Sequence, residues 1–288
     1  MFKLSNIENS FDSYMELIKL YDEYKDECFE DITIYLEKWF AANMSATLGA
    51  VLDLFGNVNN ISLQFDEANQ KIKSILCKNN FLSYYGFDKY SDYHNTTIPY
   101  LKLKSDQTRS FKDYLIENLI NRAELENVSK DLKRRITESI LEVFSNAQIH
   151  SNSSFIYACG QYFPQKKAIE FTIVDTGVGF KSKISDRFEN NFTGSQAINW
   201  AVEDKRTSKS SMTGGLGLTV LKEFISSNRG KLQIVSDTGF YEFSMGKTTC
   251  KEFFSRFPGT IVNLKFFIKN DGCYFGEDQG KVDIATIF

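Results

Sequence analysis

In the stretch ESILEVFSNAQIH, Glu138, Glu142, Asn146 and His150 recur at every fourth position, so a helix would line them up as one polar stripe. A solvated stripe needs no function, but Asn146 is a poor helix former at a site where Lys or Gln would serve solubility better. Its amide oxygen is a neutral ligand suited to Mg²⁺, a hard cation that also binds phosphates. In FTIVDTGVGF a strand pattern ends at Asp175, and Gly177 and Gly179 break the backbone directly after it. A tight turn is the plain reading. A carboxylate placed there can also accept a hydrogen bond from an exocyclic amine such as adenine N6, while the glycines let a purine approach the main chain. In MTGGLGLTVLKEF, Gly214, Gly215 and Gly217 precede a helix expected to start near Leu218. Bare N–H groups and the positive end of a helix dipole together bind anions, phosphate above all, although a flexible loop would read the same way. Neither the G-x-x-x-x-G-K-[ST] loop nor the dinucleotide fingerprint is present.

Between Gly179 and Gly214 runs a segment rich in Lys, Ser, Thr and Asn. A connection of that length suits a lid, with Lys205, Arg206, Thr207 or Lys209 reaching a terminal phosphate, against the alternative of a solvated loop. In FPGTIVNLKFF, Thr260 opens a strand pattern where its hydroxyl could bond to a base directly or through water.

The rest of the composition narrows the chemistry. The 288 residues carry two histidines, His94 and His150, which leaves little material for a His-based metal site or a Ser-His-Asp triad. Five cysteines without CxxC pairing suggest free thiols, several of them buried. A formal charge of −3 gives no global basic field, so nucleic acid is not indicated as a partner. No apolar run is long enough to cross a bilayer, and the N-terminus lacks the apolar core of a signal peptide, so a cytoplasmic protein without membrane attachment is expected.

The elements that must position these residues follow from periodicity. Residues 1–107 read as a small α/β domain with strands at 32–36 and 61–65, helices at 43–55 and 67–76, and a further strand at TTIPYLKLK. A helical connection over 108–128 leads to a second domain, 129–288. Its first helix, 129–149, places Leu132, Ile136, Ile140, Val143, Phe144 and Ala147 on one apolar face. Strands follow at 154–159 and 168–175, a short helix at 195–203, a helix at 218–227, and strands at KLQIVS, FYEFS and TIVNLKFFI. This order predicts an α+β fold with helices on one face of a mixed sheet.

Taken in order, ESILEVFSNAQIH, DTGVGF, GGLGL and PGT resemble the N box, the two glycine boxes and the final Gly-Thr element of the GHKL (histidine kinase-like) ATPase superfamily. The resemblance spans about residues 129–269 and implies a Bergerat-type α/β sandwich that binds ATP with Mg²⁺. It implies that Asn146 holds Mg²⁺, that Asp175 binds the adenine amine between Gly177 and Gly179, and that Thr260 sits near the base. Gly214, Gly215, Leu216 and Gly217 would contact phosphates, His150 would approach them, and Lys205 and Thr207 would reach from the lid. Glu142 matches the acidic position that acts as general base in hydrolysing members. No phospho-accepting helical hairpin precedes the domain, so autokinase activity is not expected. The first unit loosely resembles a STAS-type fold, as met among partners of anti-sigma-factor kinases. The function expected is a slow Mg²⁺-dependent ATPase whose lid closure switches the surface offered to a protein partner or to a second copy. The alternatives are an anti-sigma-type Ser/Thr protein kinase and a nucleotide sensor without hydrolysis.

Overall fold

A computed structural model describes residues 1–66, 70–126, 128–150, 153–185, 192–203 and 216–268. The fold is α+β and contains two sheets. The first sheet is built from β1 (Phe2–Ile7), β2 (Asp31–Phe40) and β3 (Asn60–Phe65), side by side in that order and all parallel. Parallel neighbours require crossovers, here supplied by α1 (Phe11–Tyr24) and α2 (Ser45–Gly56); α3 (Gln70–Lys78) follows β3. β2 alternates, burying Ile32, Ile34 and Leu36 and turning the intervening residues outwards, the pattern of a sheet with one covered face.

The second sheet has the order β4-β5-β6-β8-β7, from β4 (Thr97–Lys104), β5 (Phe155–Phe163), β6 (Ala168–Asp175), β7 (Lys231–Ser244) and β8 (Lys247–Phe267). All its pairings are antiparallel, so the mixed sheet expected from sequence is corrected. The strand TTIPYLKLK, expected to complete the N-terminal unit, is β4 and pairs with β5, Lys104 opposite Phe155. The strands expected at KLQIVS and FYEFS are one continuous β7, which turns into β8 through Met245 and Gly246 at φ 48° and 75°. Two successive positive φ values match the twist of a two-residue hairpin.

Helices cover both faces of this sheet, those that follow β4 on one face and those of the first unit on the other. On one face lie α4 (Thr108–Leu115), which continues as one π-helical turn over Ile116–Ile120, α5 (Lys130–His150), α7 (Gly194–Glu203) and α8 (Leu216–Asn228); the short α6 (Phe180–Ser185) follows β6. Leu132, Ile136, Ile140, Val143, Phe144 and Ala147 of α5 are all buried, as their spacing predicts, and Phe144 stacks on Phe111 of α4 at 4.3 Å. On the other face, α1 touches β1 and β8, and α2 touches β3, β5 and β6, so both lie between the two sheets. That position explains why residues Ser45–Leu52 of α2 are buried all round its circumference. β6 is buried along its whole length for the same reason.

The docking of the N-terminal unit is partly polar. Thr172, Asn263 and Gln233 are register partners on β6, β8 and β7, and each is almost fully buried. The Asn43 amide, in the short helix before α2, donates to Thr172 Oγ1 at 2.8 Å, and Asn263 Nδ2 donates to Gln233 Oε1 at 3.0 Å. Buried amides must find partners, so this row specifies how the unit seats on the sheet. Four described cysteines are free thiols, and burial pushes the Cys159 thiol up to about 12. Among the described residues, no helix is long and apolar enough to cross a membrane.

The start of α7 is held from inside the chain. Thr193 and Gln196 form a capping box, with Thr193 N–H donating to Gln196 Oε1 and Gln196 N–H to Thr193 Oγ1. Glu252 of β8 accepts from Ser195 N–H at 2.8 Å and from Thr238 Oγ1 at 2.7 Å. Partial burial pushes the Glu252 carboxyl up, but these hydrogen bonds outweigh it and hold the group below its ordinary value. A depressed carboxyl contributes stability that is fully present above its unfolded pKa and is lost as pH falls through the folded one. Urea unfolding of Glu252→Gln is therefore expected to show a smaller loss of stability between neutral and acid pH than the parent. An identical acid limb in both would refute the cap.

Candidate functional site

An open-mouthed cleft lies between the sheet and the helices packed on it. Helix α5 contributes Val143, Asn146 and Ala147, and the neighbouring helix α8 contributes Leu218. Strand β6 contributes Ile173 and Asp175, β8 contributes Thr260 and Val262, and the turn after β6 contributes Val178, Gly179 and Phe180. Residues from four distant stretches of sequence thus converge on one space, and the walls between the polar groups are apolar.

The floor is organised by strand register. Asp175, Thr260 and Ser236 are neighbours on β6, β8 and β7. Asp175 is only 6% exposed, and its Oδ1 accepts from Gly177 N–H at 3.0 Å, which closes the turn after β6 on the carboxylate. Ser153 fixes the next residue, accepting from Thr176 N–H at 3.1 Å and donating to Phe155 O at 2.6 Å. Ser236 Oγ accepts from Phe180 N–H at 3.0 Å, lies 3.2 Å from Gly259 O, and stands 3.1 Å from Thr260 Oγ1. It ties the Gly179–Phe180 turn to the start of the Thr260 segment. Gly259, at φ 150°, lets β8 come so close to β6 that an added Cβ would lie 1.9 Å from Asp175 O. At Gly179 an added Cβ would fall 2.5 Å from Ser236 Oγ.

Of the residues singled out from sequence, Asn146, Asp175, Gly179 and Thr260 line this cleft, and Gly177 braces Asp175. Glu142 stands one turn before Asn146 on α5 and is half-buried, about 6 Å back along the helix axis. Glu138 is exposed and paired with Arg134 at 3.1 Å, so the stripe divides into a solvated half and a half next to the cleft. His150 is the last residue of α5, and its side chain lies outside the described residues. Leu216 and Gly217, expected in the loop, form the first turn of α8, so the helix begins two residues earlier than its pattern predicts. The first N–H groups of α8 therefore lie close to Leu218, which is in the cleft. Lys205, Thr207, Gly214 and Gly215 lie outside the described residues.

Sequence reasoning missed Ser153 and Ser236. Ser236 ends a strand pattern and carries no local signal; only its register with Thr260 reveals it. Ser236→Ala leaves Phe180 N–H without its acceptor and is expected to cost about 1–2 kcal/mol in urea unfolding. No change in stability would mean that the serine is not the tie between the two segments. Among the described residues, no group of three His, Cys, Asp or Glu side chains could hold a metal ion. A cation at this cleft would therefore rest on Asn146 together with oxygens of a bound ligand, the usual manner of Mg²⁺. No protein-family model matches the chain, and no curated protein matches it significantly.

Proposed function

We propose that the cleft is the nucleotide site of a Mg²⁺-dependent GHKL-type ATP-binding protein that hydrolyses ATP slowly and switches its surface with the nucleotide state. The observation that carries this reading is the convergence of Asn146, Asp175, Gly179 and Thr260, from separate sequence stretches, on one space. The residues present fit the ligand. Aliphatic walls from Val143, Ala147, Ile173, Val178 and Val262 suit a flat purine, and the buried acceptor Asp175 at the floor selects an exocyclic amine over an oxo group. Ser236 Oγ–H donates to Gly259 O, so Thr260 Oγ1 donates to Ser236 Oγ and keeps its lone pairs free to accept from a base or a bridging water. The first N–H groups of α8, close to Leu218 in the cleft, would be the donors to phosphate oxygens.

Asn146 would hold Mg²⁺, which when bound neutralises phosphate charge. Glu142, one turn away, is the carboxylate available to orient and deprotonate a water, an effect that depends chiefly on position. Purified protein is expected to bind a nonhydrolysable ATP analogue only with Mg²⁺ in calorimetric titration and to release ADP from ATP. Glu142→Ala should keep binding and lose at least about 100-fold in ADP release. Unchanged hydrolysis in that variant would remove Glu142 from the reaction. Label moving from the γ-phosphate to a serine or threonine of a partner would instead favour the kinase reading, and binding with neither outcome would favour the sensor.

A further inference from the structure

A second cleft opens on the opposite face of the antiparallel sheet, where the two sheets meet. It stands outside the carboxyl ends of two adjacent parallel strands, the place where open α/β sheets bind ligands. Glu8 and Asn9 follow β1, Trp39 lies near the end of β2, and Ala41 follows it. The facing wall comes from the antiparallel sheet and carries Lys166, Glu170, Lys231 and Lys265.

The charges across this cleft are of both signs and nearly balanced. Lys265 is paired with the buried Glu170 at 2.9 Å, and Lys231 with Glu242 at 3.1 Å. Glu170 also accepts from the Asn9 amide. What remains is a cation on one wall and a carboxylate on the other. Lys166 lies 5.3 Å from the centre of the Phe163 ring, and among the described residues no carboxylate is within ion-pair distance of it. Glu8, on the parallel-sheet wall, likewise has no cation in reach among the described residues.

Behind the cleft, fully buried Asn43 donates through Nδ2 to Asn9 Oδ1 at 2.9 Å, and the Asn9 amide donates to Glu170, so Asn9 is held in place between the two walls.

We propose that this cleft binds a free amino acid or a zwitterion of similar size, its carboxylate on Lys166, its ammonium towards Glu8, and its body against the Trp39 indole. A polyanion such as phosphate is disfavoured, because it would have to compete with Glu170 and Glu242 for two of the three lysines. The site lies on the other face of the sheet from the nucleotide cleft, so the proposal stands or falls independently of that reading.

Trp39 is one of two tryptophans, the other being Trp200 of α7, and supplies the signal. The full chain carrying Trp200→Phe is titrated with each standard amino acid and, as controls, with acetate, methylamine and inorganic phosphate, up to about 10 mM. A saturable change in fluorescence with at least one amino acid, and none with the controls, is expected. Lys166→Ala and Glu8→Gln, both at exposed positions, should each weaken it about tenfold with unchanged thermal midpoints. No saturable response to any amino acid overturns the proposal. So does a response to acetate or phosphate as tight as that to the amino acid, which would make this a simple anion site, or a response unaffected by both substitutions.

Discussion

Asp175→Asn is expected to weaken binding of a nonhydrolysable ATP analogue by roughly 10- to 100-fold in calorimetric titration, the worth of a hydrogen bond to a charged acceptor. The carboxylate ends β6, is almost completely buried, and is pinned through Oδ1 by Gly177 N–H. An amide of the same shape can keep that bond through its oxygen, so the fold should survive. Its NH₂ then points where the carboxylate offered an acceptor, and donor meets donor at the exocyclic amine. The charge-neutral variant also removes the preference for an amine over an oxo group, so its affinity for ATP should approach that for GTP. Full ATP affinity in a folded Asp175→Asn protein would move the base out of this cleft and withdraw the nucleotide assignment.

Gly259→Ala is expected to be the most damaging Gly→Ala substitution among the described residues. The residue sits at φ 150°, which L side chains rarely adopt, and its added Cβ would meet Asp175 O at 1.9 Å and Thr176 Cα at 2.8 Å. Both obstacles are backbone and cannot rotate away. Backbone strain and overpacking together are expected to cost about 3–5 kcal/mol in urea unfolding. Gly246 supplies the control, since it also has a positive φ, 75°, but an added Cβ there finds nothing within 4 Å. Gly246→Ala should cost only about 1 kcal/mol, the conformational part alone. Equal losses in the two variants would show that the approach of β8 to β6 is not what the glycine protects. Because the displaced atoms belong to Asp175 and Thr176, Gly259→Ala should also lose nucleotide binding wherever it still folds.

Much of the α5 side of the molecule is legible in the sequence, because its signals are local. The apolar face of α5 follows from a 3.6-residue period, and the end of β6 at Asp175 is marked by the glycines behind it. Asn146 stands out as a residue ill suited to the helix that carries it. These features depend on a few neighbouring residues and can be read without knowing what lies opposite them.

The pairing of strands was decided elsewhere. TTIPYLKLK reads equally well as an edge of either sheet, and only the antiparallel register with β5 settles its place. The burial of α2 on every side follows from a second sheet behind it, which its own residues do not announce. Ser236 becomes part of the site only because β7 and β8 align it with Thr260, and Asp175 reaches both through β6. Sequence by itself determined the periodic elements and the residue types able to bind base, metal and phosphate, since backbone preference and amphipathicity act over a few residues. Which of those residues meet, which face of the sheet is covered, and the existence of a charged cleft between the two sheets depended on contacts between segments more than one hundred residues apart, such as Asn43 with Thr172. Such contacts are selected by how whole surfaces fit, and no local pattern records that fit.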